Sequence, residues 1–334
     1  MIDVQNLTKH YGPVTAIRDV SFRVEPGQIV GFLGPNGAGK STTMRILSCF
    51  MPASTGTARV AGFDVFSESM EVRRRIGYLP ESVPLYSELR VADYLDFVAE
   101  VKGVGRAQRK ARVGEVMERC HISDVSRRMI GKLSKGYRQR VGLAQAIVSD
   151  PAVLILDEPT IGLDPQQITE IRALIKSLAG DHTVILSTHI LPEVSMICQG
   201  VVIINRGSIV AQGPIDRLVE EFFPTARVHV QFAGPSAAVR EGLTRIPGVV
   251  GVHDEPSSDG LASYVVESAR GRDVRGEIFQ LAAQQHWELR ELRRAGMTLE
   301  EVFIRIVAGE ETEAERATAT SPAAEAPPPA EAPA

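Results

Sequence analysis

Residues 34–41 read Gly-Pro-Asn-Gly-Ala-Gly-Lys-Ser, a G-x-x-x-x-G-K-S pattern, and their neighbours decide what the pattern means. The apolar run GQIVGFL (Gly27 to Leu33) leads into it as a strand, and TTMRILSCF leaves it with helical spacing. A strand that ends in a glycine-rich turn and opens a helix lets successive backbone N–H groups curl around phosphate oxygens, with the positive end of the helix facing them. Lys40 supplies a point charge for the β- and γ-phosphates, and Ser41 offers a hydroxyl to Mg²⁺. A chance glycine-rich turn is the competing reading, but it explains neither the flanking elements nor the Lys-Ser pair. Gly34, Pro35, Asn36, Gly37, Ala38, Gly39, Lys40, Ser41 and Thr42 are therefore candidate nucleotide-binding residues.

Such a loop belongs in an α/β domain. From Met1 to about Val210, short apolar runs alternate with Gly-rich turns and amphipathic helical stretches. Three runs end in polar residues: GQIVGFLG (Gly27 to Gly34), AVLILDEP (Ala152 to Pro159) and HTVILSTH (His182 to His189). Ligands of doubly wound sheets lie at the carboxyl ends of strands, so these ends should converge on one site. In LILDEP, Asp157 is placed to hold Mg²⁺ through water and Glu158 to act as general base toward an attacking water. A solvated acidic loop is the alternative, but two neighbouring carboxylates at the end of a buried strand are costly without a metal or a wet cleft.

At 334 residues the chain has room for about two domains. Between Pro84 and Gly131 the pattern turns helical, with Val91, Tyr94, Leu95, Val98 and Val101 on one stripe. From Arg227 the order becomes β-α-β-β-α-β, a split βαβ of ferredoxin-like type, and a last helix from Thr298 to Val307 is expected to pack beside it. From Glu310 onward Ala, Pro, Glu, Thr and Ser dominate, a composition expected to stay disordered because it buries too little to offset ordering.

With LSKGYRQRVGLAQAI (Leu133 to Ile147) added, the sequence resembles the ATP-binding subunit of an ABC transporter over Met1 to Leu218. The resemblance implies ATP and Mg²⁺ as cofactors and a P-loop ATPase fold with a helical subdomain at about 84–150. It further implies that Ser134 and Gly136 of the LSKGY segment close over the γ-phosphate held by an opposite subunit. Tyr11 would stack on adenine, IGLD (Ile161 to Asp164) would cross the dimer with Asp164 at the nucleotide, and His189 would sense the γ-phosphate. Alone, Tyr11 also reads as a packed aromatic and His189 as a structural histidine. The chain departs from the family at Glu81, where a carboxylate stands for the usual glutamine and remains able to hold a hard cation. It also departs at Lys135 and Tyr137 within the signature. YLPE and the ending TLEEVFIRIV resemble the subgroup serving drug, antibiotic-resistance and gliding-motility exporters.

The expected organisation is thus an ABC ATPase domain (1–218), a small α+β domain (219–309) and a disordered tail (310–334). No run approaches the 18 or so apolar residues a membrane span needs, and the N-terminus carries no apolar signal core. A separate transmembrane permease is therefore the implied partner, with the chain cytoplasmic and peripheral on the inner face of the membrane. One chain carries one set of motifs, so a homodimer is expected. A net charge of −4 gives no general reason to bind nucleic acid, and three widely spaced cysteines form no disulfide framework. Rival readings are a soluble ABC ATPase acting on ribosomes or DNA, and a dimer regulated by a small ligand on its C-terminal domain. Only about 53 residues separate Glu81 from Ser134, with no sustained heptads, which leaves no room for a long coiled-coil insertion. The run Arg73 to Arg75 reads as a solvated helix face or a permease contact, and Trp287 as packing.

Overall fold

The computed structural model describes residues 1–222, 226–233, 236–255, 261–269, 272–295 and 298–306, so the expected tail at 310–334 lies outside the described residues. The chain opens with strands β1 (Ile2–Tyr11), β2 (Val14–Val24) and β3 (Ile29–Leu33), then helix α1 (Lys40–Leu47). Strands β4 (Thr55–Val60) and β5 (Phe63–Asp64), helix α2 (Ser69–Arg75) and strand β6 (Ile76–Leu79) follow. Helices α3 (Val91–Val101), α4 (Arg106–Arg119) and α5 (Lys135–Ile147) precede β7 (Val153–Asp157), α6 (Pro165–Ser177), β8 (Thr183–Thr188) and α7 (Leu191–Ile197). Strands β9 (Gly200–Asn205) and β10 (Ser208–Pro214) and helix α8 (Ile215–Phe222) complete this part of the chain. Beyond it lie β11 (Ala226–Ala233), α9 (Ser236–Thr244), β12 (Val249–Glu255), β13 (Ala262–Ser268), α10 (Arg275–Gln284) and β14 (Glu288–Ala295). A final helix spans residues 299–306.

The central sheet runs β10-β9-β3-β8-β7-β6. Strands β9, β3, β8, β7 and β6 are parallel, and β3, β7 and β8 are buried along their whole length, as their continuous apolar runs require. The three strands read from sequence as site-bearing are therefore neighbours, in the order β3-β8-β7. An antiparallel sheet, β2-β1-β4-β5, covers one side and shares a core with α1 through Val4, Leu7, Phe22, Phe32, Met44 and Leu47. The other side packs against α5, α6, α7 and the helical layer.

In that layer Val91, Tyr94 and Leu95 are buried and Val98 half-buried, as the stripe predicts, but Val101 is 69% exposed. It is the last residue of α3, and Ala99 takes the inward position one half-turn earlier. Arg74 and Arg75 pair with Glu71 on their own helix, and Arg73 donates to the Cys49 carbonyl (2.7 Å), so the arginine run is engaged within the chain. The three cysteines are free and buried.

The C-terminal sheet has the order β12-β13-β11-β14, antiparallel throughout, which is the ferredoxin-like arrangement the element order implies. Val228, Val230, Phe232, Tyr264, Val266 and Ile278 form its core. Trp287 packs there, its ring edge-on to Phe232 at 5.9 Å. The final helix differs from expectation. Leu299, Val302 and Ile306 belong to the core cluster beneath the central sheet, together with Leu218 of α8, rather than to the ferredoxin-like core. Arg305 fixes its far end by donating to the Phe222 carbonyl (2.7 Å), while Glu301 meets Arg227 of β11 at 3.8 Å. An amphipathic spacing specifies that a helix has an apolar face, not which core receives it.

Candidate functional site

The loop between β3 and α1 owes its shape to crowding. Gly39 precedes α1 with φ 110°, and a Cβ there would stand 2.5 Å from Ile17 Cγ2, while at Gly34 it would stand 2.3 Å from the Ile204 carbonyl oxygen. No side chain caps α1 and no acidic residue occupies its first turn, so its leading N–H groups remain available to an anion. Lys40 is buried and folds back to donate to the Gly34 and Pro35 carbonyls at 2.8 and 3.3 Å. Its ammonium occupies the mouth of the loop where phosphate oxygens would compete for it.

Carboxylates converge from β7. Asp157 Oδ1 accepts from Ser41 Oγ (3.3 Å) and from Ser187 Oγ (2.5 Å), which joins α1, β7 and β8 at one atom. Glu158, next in sequence, has φ 50°, a left-handed conformation unusual for a side chain of its size, costing on the order of 1–3 kcal/mol. Its N–H donates to the Ser187 carbonyl (3.1 Å), which stabilises the turn. The Glu158 carboxylate then reaches Lys40 Nζ (3.8 Å) with Oε1 and His189 Nδ1 (2.9 Å) with Oε2. Burial lowers the Lys40 pKa from its usual value, partly offset by Glu158, Asp157 and Glu81.

These groups border a cleft of about 520 Å³ lined by Asn36, Gly37, Gly39, Lys40, Ser41, Thr42, Glu81, Glu158 and His189, with Ala16 and Ile161 at its edges. Phosphate-binding loop, metal-compatible oxygens and a candidate base thus share one wall. Among the described residues no group of three or more His, Cys, Asp or Glu forms a metal cage on its own. Ser41, Asp157 and Glu81 nonetheless present the hard oxygen donors that Mg²⁺ takes when phosphates complete its shell. A second cleft of similar volume, beside α4, holds carboxylates already bound to Arg112.

Eight predicted residues do not line this cleft: Gly34, Pro35, Ala38 and Asp157 belong to the loop and strand end that border it, whereas Ser134, Gly136, Asp164 and Tyr11 lie on other elements. Ser134 caps α5, its Oγ accepting from Tyr137 N (3.4 Å), and Asp164 caps α6, accepting from Gln167 N (2.9 Å). Gly136 and Gln167 lie together, since a Cβ on Gly136 would stand 2.4 Å from Gln167 Oε1, so both caps belong to one separate surface. Tyr11 ends β1, 45% exposed as a residue, with its hydroxyl donating to Met51 Sδ (3.0 Å). Sequence reasoning missed Ser187, the shared hydrogen-bond partner of Asp157 and Glu158, although the polar end of HTVILSTH was its signal.

Residues 17–161 match the family model described as ABC transporter, and 127–196 match an overlapping model described as AAA domain, putative AbiEii toxin, Type IV TA system. The bacitracin transport ATP-binding protein BcrA of Bacillus licheniformis is 31% identical over 312 residues, 92% of this chain and 98% of that protein. The Nod factor export ATP-binding protein I of Paraburkholderia xenovorans is 32% identical over 310 residues, 92% of this chain and 97% of that protein. A solved ATP-binding subunit of an ABC transporter superposes with a TM-score of 0.62 at 29% identity, covering 66% of this chain and 93% of its own.

Proposed function

The chain belongs to the ATP-binding subunits of ABC transporters, and from that premise we propose that it powers export through a separate transmembrane permease, two copies closing on two ATP. ATP binding and hydrolysis come with the family. The convergence of Lys40, Ser41, Asp157, Glu158 and His189 on one cleft carries the assignment of the hydrolytic site. Export is supported by the relatives whose similarity extends over nearly the whole chain, one of them named for export. Among the described residues no helix is long and apolar enough to cross a membrane, in keeping with a permease on another chain and a peripheral position at the membrane.

In this reading the N–H groups of Gly37 and of Gly39 to Thr42 and the Lys40 ammonium bind the triphosphate, with Gly34, Pro35, Asn36 and Ala38 shaping the loop. Ser41, Asp157 and Glu81 would hold Mg²⁺, which would supply neutralisation of phosphate charge. Glu158 takes the proton of the attacking water, and His189 orients Glu158 and the γ-phosphate. Ser134, Gly136 and Asp164, which do not line the cleft of their own chain, complete the site of the opposite copy, and Tyr11 offers its ring to adenine. Residues 1–218 form the ATPase domain and the βαββαβ unit a packing or regulatory domain.

Complementation tests the composite site. Lys40→Ala and Gly136→Asp each abolish ATPase activity alone, and an equimolar mixture of the two inactive proteins regains a fraction of it through one intact composite site. No recovery on mixing at any protein concentration would refute the shared-site dimer.

A further inference from the structure

Glu193 is 1% exposed, carries no motif, and uses both carboxylate oxygens within the chain. Oε2 accepts from Thr160 Oγ1 (2.8 Å) and Thr188 Oγ1 (3.3 Å), and Oε1 meets Arg172 Nη2 (3.1 Å). A buried carboxylate is tolerated only when hydrogen bonds and an opposite charge compensate it, and here two hydroxyls and a guanidinium do so. The partners come from different elements. Thr160 lies two residues beyond Glu158 in the β7–α6 turn, Thr188 immediately precedes His189 at the end of β8, and Arg172 sits on α6. Thr188 is itself fixed, its Oγ1 accepting from Ile190 N (3.1 Å).

We propose that Glu193 is a positioning residue for ATP hydrolysis: by fastening Thr160 and Thr188 to one carboxylate it holds Glu158 and His189 in register. It touches neither nucleotide nor attacking water and acts through the two loops that do. Either loop moving by an ångström would break the 2.9 Å contact between Glu158 and His189. The proposal rests on the reading of those two residues as the hydrolytic pair.

The test uses the full chain with Thr160→Val, Thr188→Val, Thr160→Ser and Glu193→Gln. Valine removes one hydroxyl at nearly constant volume, so the test does not depend on Glu193→Gln folding. Readouts are kcat and KM for ATP, melting temperature, and the ¹⁵N imidazole NMR signals of His189, assigned with His189→Ala. Both valine variants are expected to lower kcat at least fivefold with KM within twofold of wild type and with the His189 signals shifted or broadened, while Thr160→Ser stays within twofold throughout. Valine variants with wild-type kcat and an unmoved His189 spectrum would overturn the proposal. So would a kcat loss that merely tracks a fall in melting temperature. If the wild-type chain hydrolyses no ATP but the His189 signals still respond to Thr160→Val, the hydrolytic reading fails while the coupling of the two loops stands.

Discussion

Nδ1 of His189 lies 2.9 Å from Oε2 of Glu158, while the other oxygen of that carboxylate faces Lys40 Nζ at 3.8 Å. A carboxylate only accepts, so His189 donates through Nδ1 and its tautomer is set by the residue it serves. The same contact ties one oxygen of Glu158, a residue lining the cleft, to β8 and its following turn. Glu158→Gln retains the shape of the pair and removes the base. Phosphate release is expected to fall at least 100-fold, within the range general bases contribute, with ATP affinity changed less than about threefold. Turnover near wild type in a steady-state phosphate assay would remove Glu158 from that role.

Lys40 provides a pH signature. Burial lowers its pKa in the nucleotide-free protein, and a bound triphosphate favours the charged ammonium, so the bound pKa lies above the free one. ATP affinity is therefore fully present below the free pKa and declines as pH rises through it, beginning below the ordinary lysine value of about 10.4. Equilibrium titrations from pH 7 upward should show this decline. Lys40→Ala should bind ATP more weakly by on the order of 10- to 100-fold, since a charged hydrogen bond contributes about 1.5–3 kcal/mol, and should lose the decline.

The phosphate loop and the three strand ends were legible in the sequence because each is a local pattern: Gly34 to Ser41 lies between one strand and one helix, and each strand ends in its own polar residues. Their convergence follows from parallel strand order, which general topology supplies. Glu193 was not legible. In sequence it is a glutamate in the first turn of a short helix, where an acidic residue ordinarily just complements the helix dipole, and its partners at 160, 172 and 188 meet only in the fold. The destination of the 299–306 helix was hidden for a related reason, because nothing local to Leu299 or Val302 distinguishes one apolar core from another.

Glu81 places a second carboxylate, beside that of Glu158, on the lining of a cleft that must accept a triphosphate. Glu81→Gln removes one negative charge and one anionic metal donor, so its two effects have opposite signs. Without Mg²⁺, ATP should bind more tightly by a fewfold, because the repulsion relieved at a solvated site is on the order of 1 kcal/mol. The Mg²⁺ concentration for half-maximal hydrolysis should rise by about two- to fivefold as a ligand weakens. An unchanged Mg²⁺ dependence in a metal titration of the purified variant would exclude Glu81 as a ligand.

The final helix offers a test that separates anchoring from mere presence. Leu299 is 2% exposed and belongs to the core of the ATPase body, whereas Ile304, on the same helix, is 58% exposed. Truncation at a buried leucine removes transfer free energy and leaves a cavity, so Leu299→Ala should lower unfolding free energy by roughly 2–3 kcal/mol. Ile304→Ala should stay within about 0.5 kcal/mol, as surface changes do. Because Leu299 packs with Leu218 rather than with the ferredoxin-like core, the loss should appear in the main transition of the ATPase body in urea denaturation. Mg²⁺-ATP, which binds that body, should raise the midpoint of the same transition by mass action. Equal, small effects of the two substitutions would mean that this helix does not anchor the C-terminal unit to the ATPase.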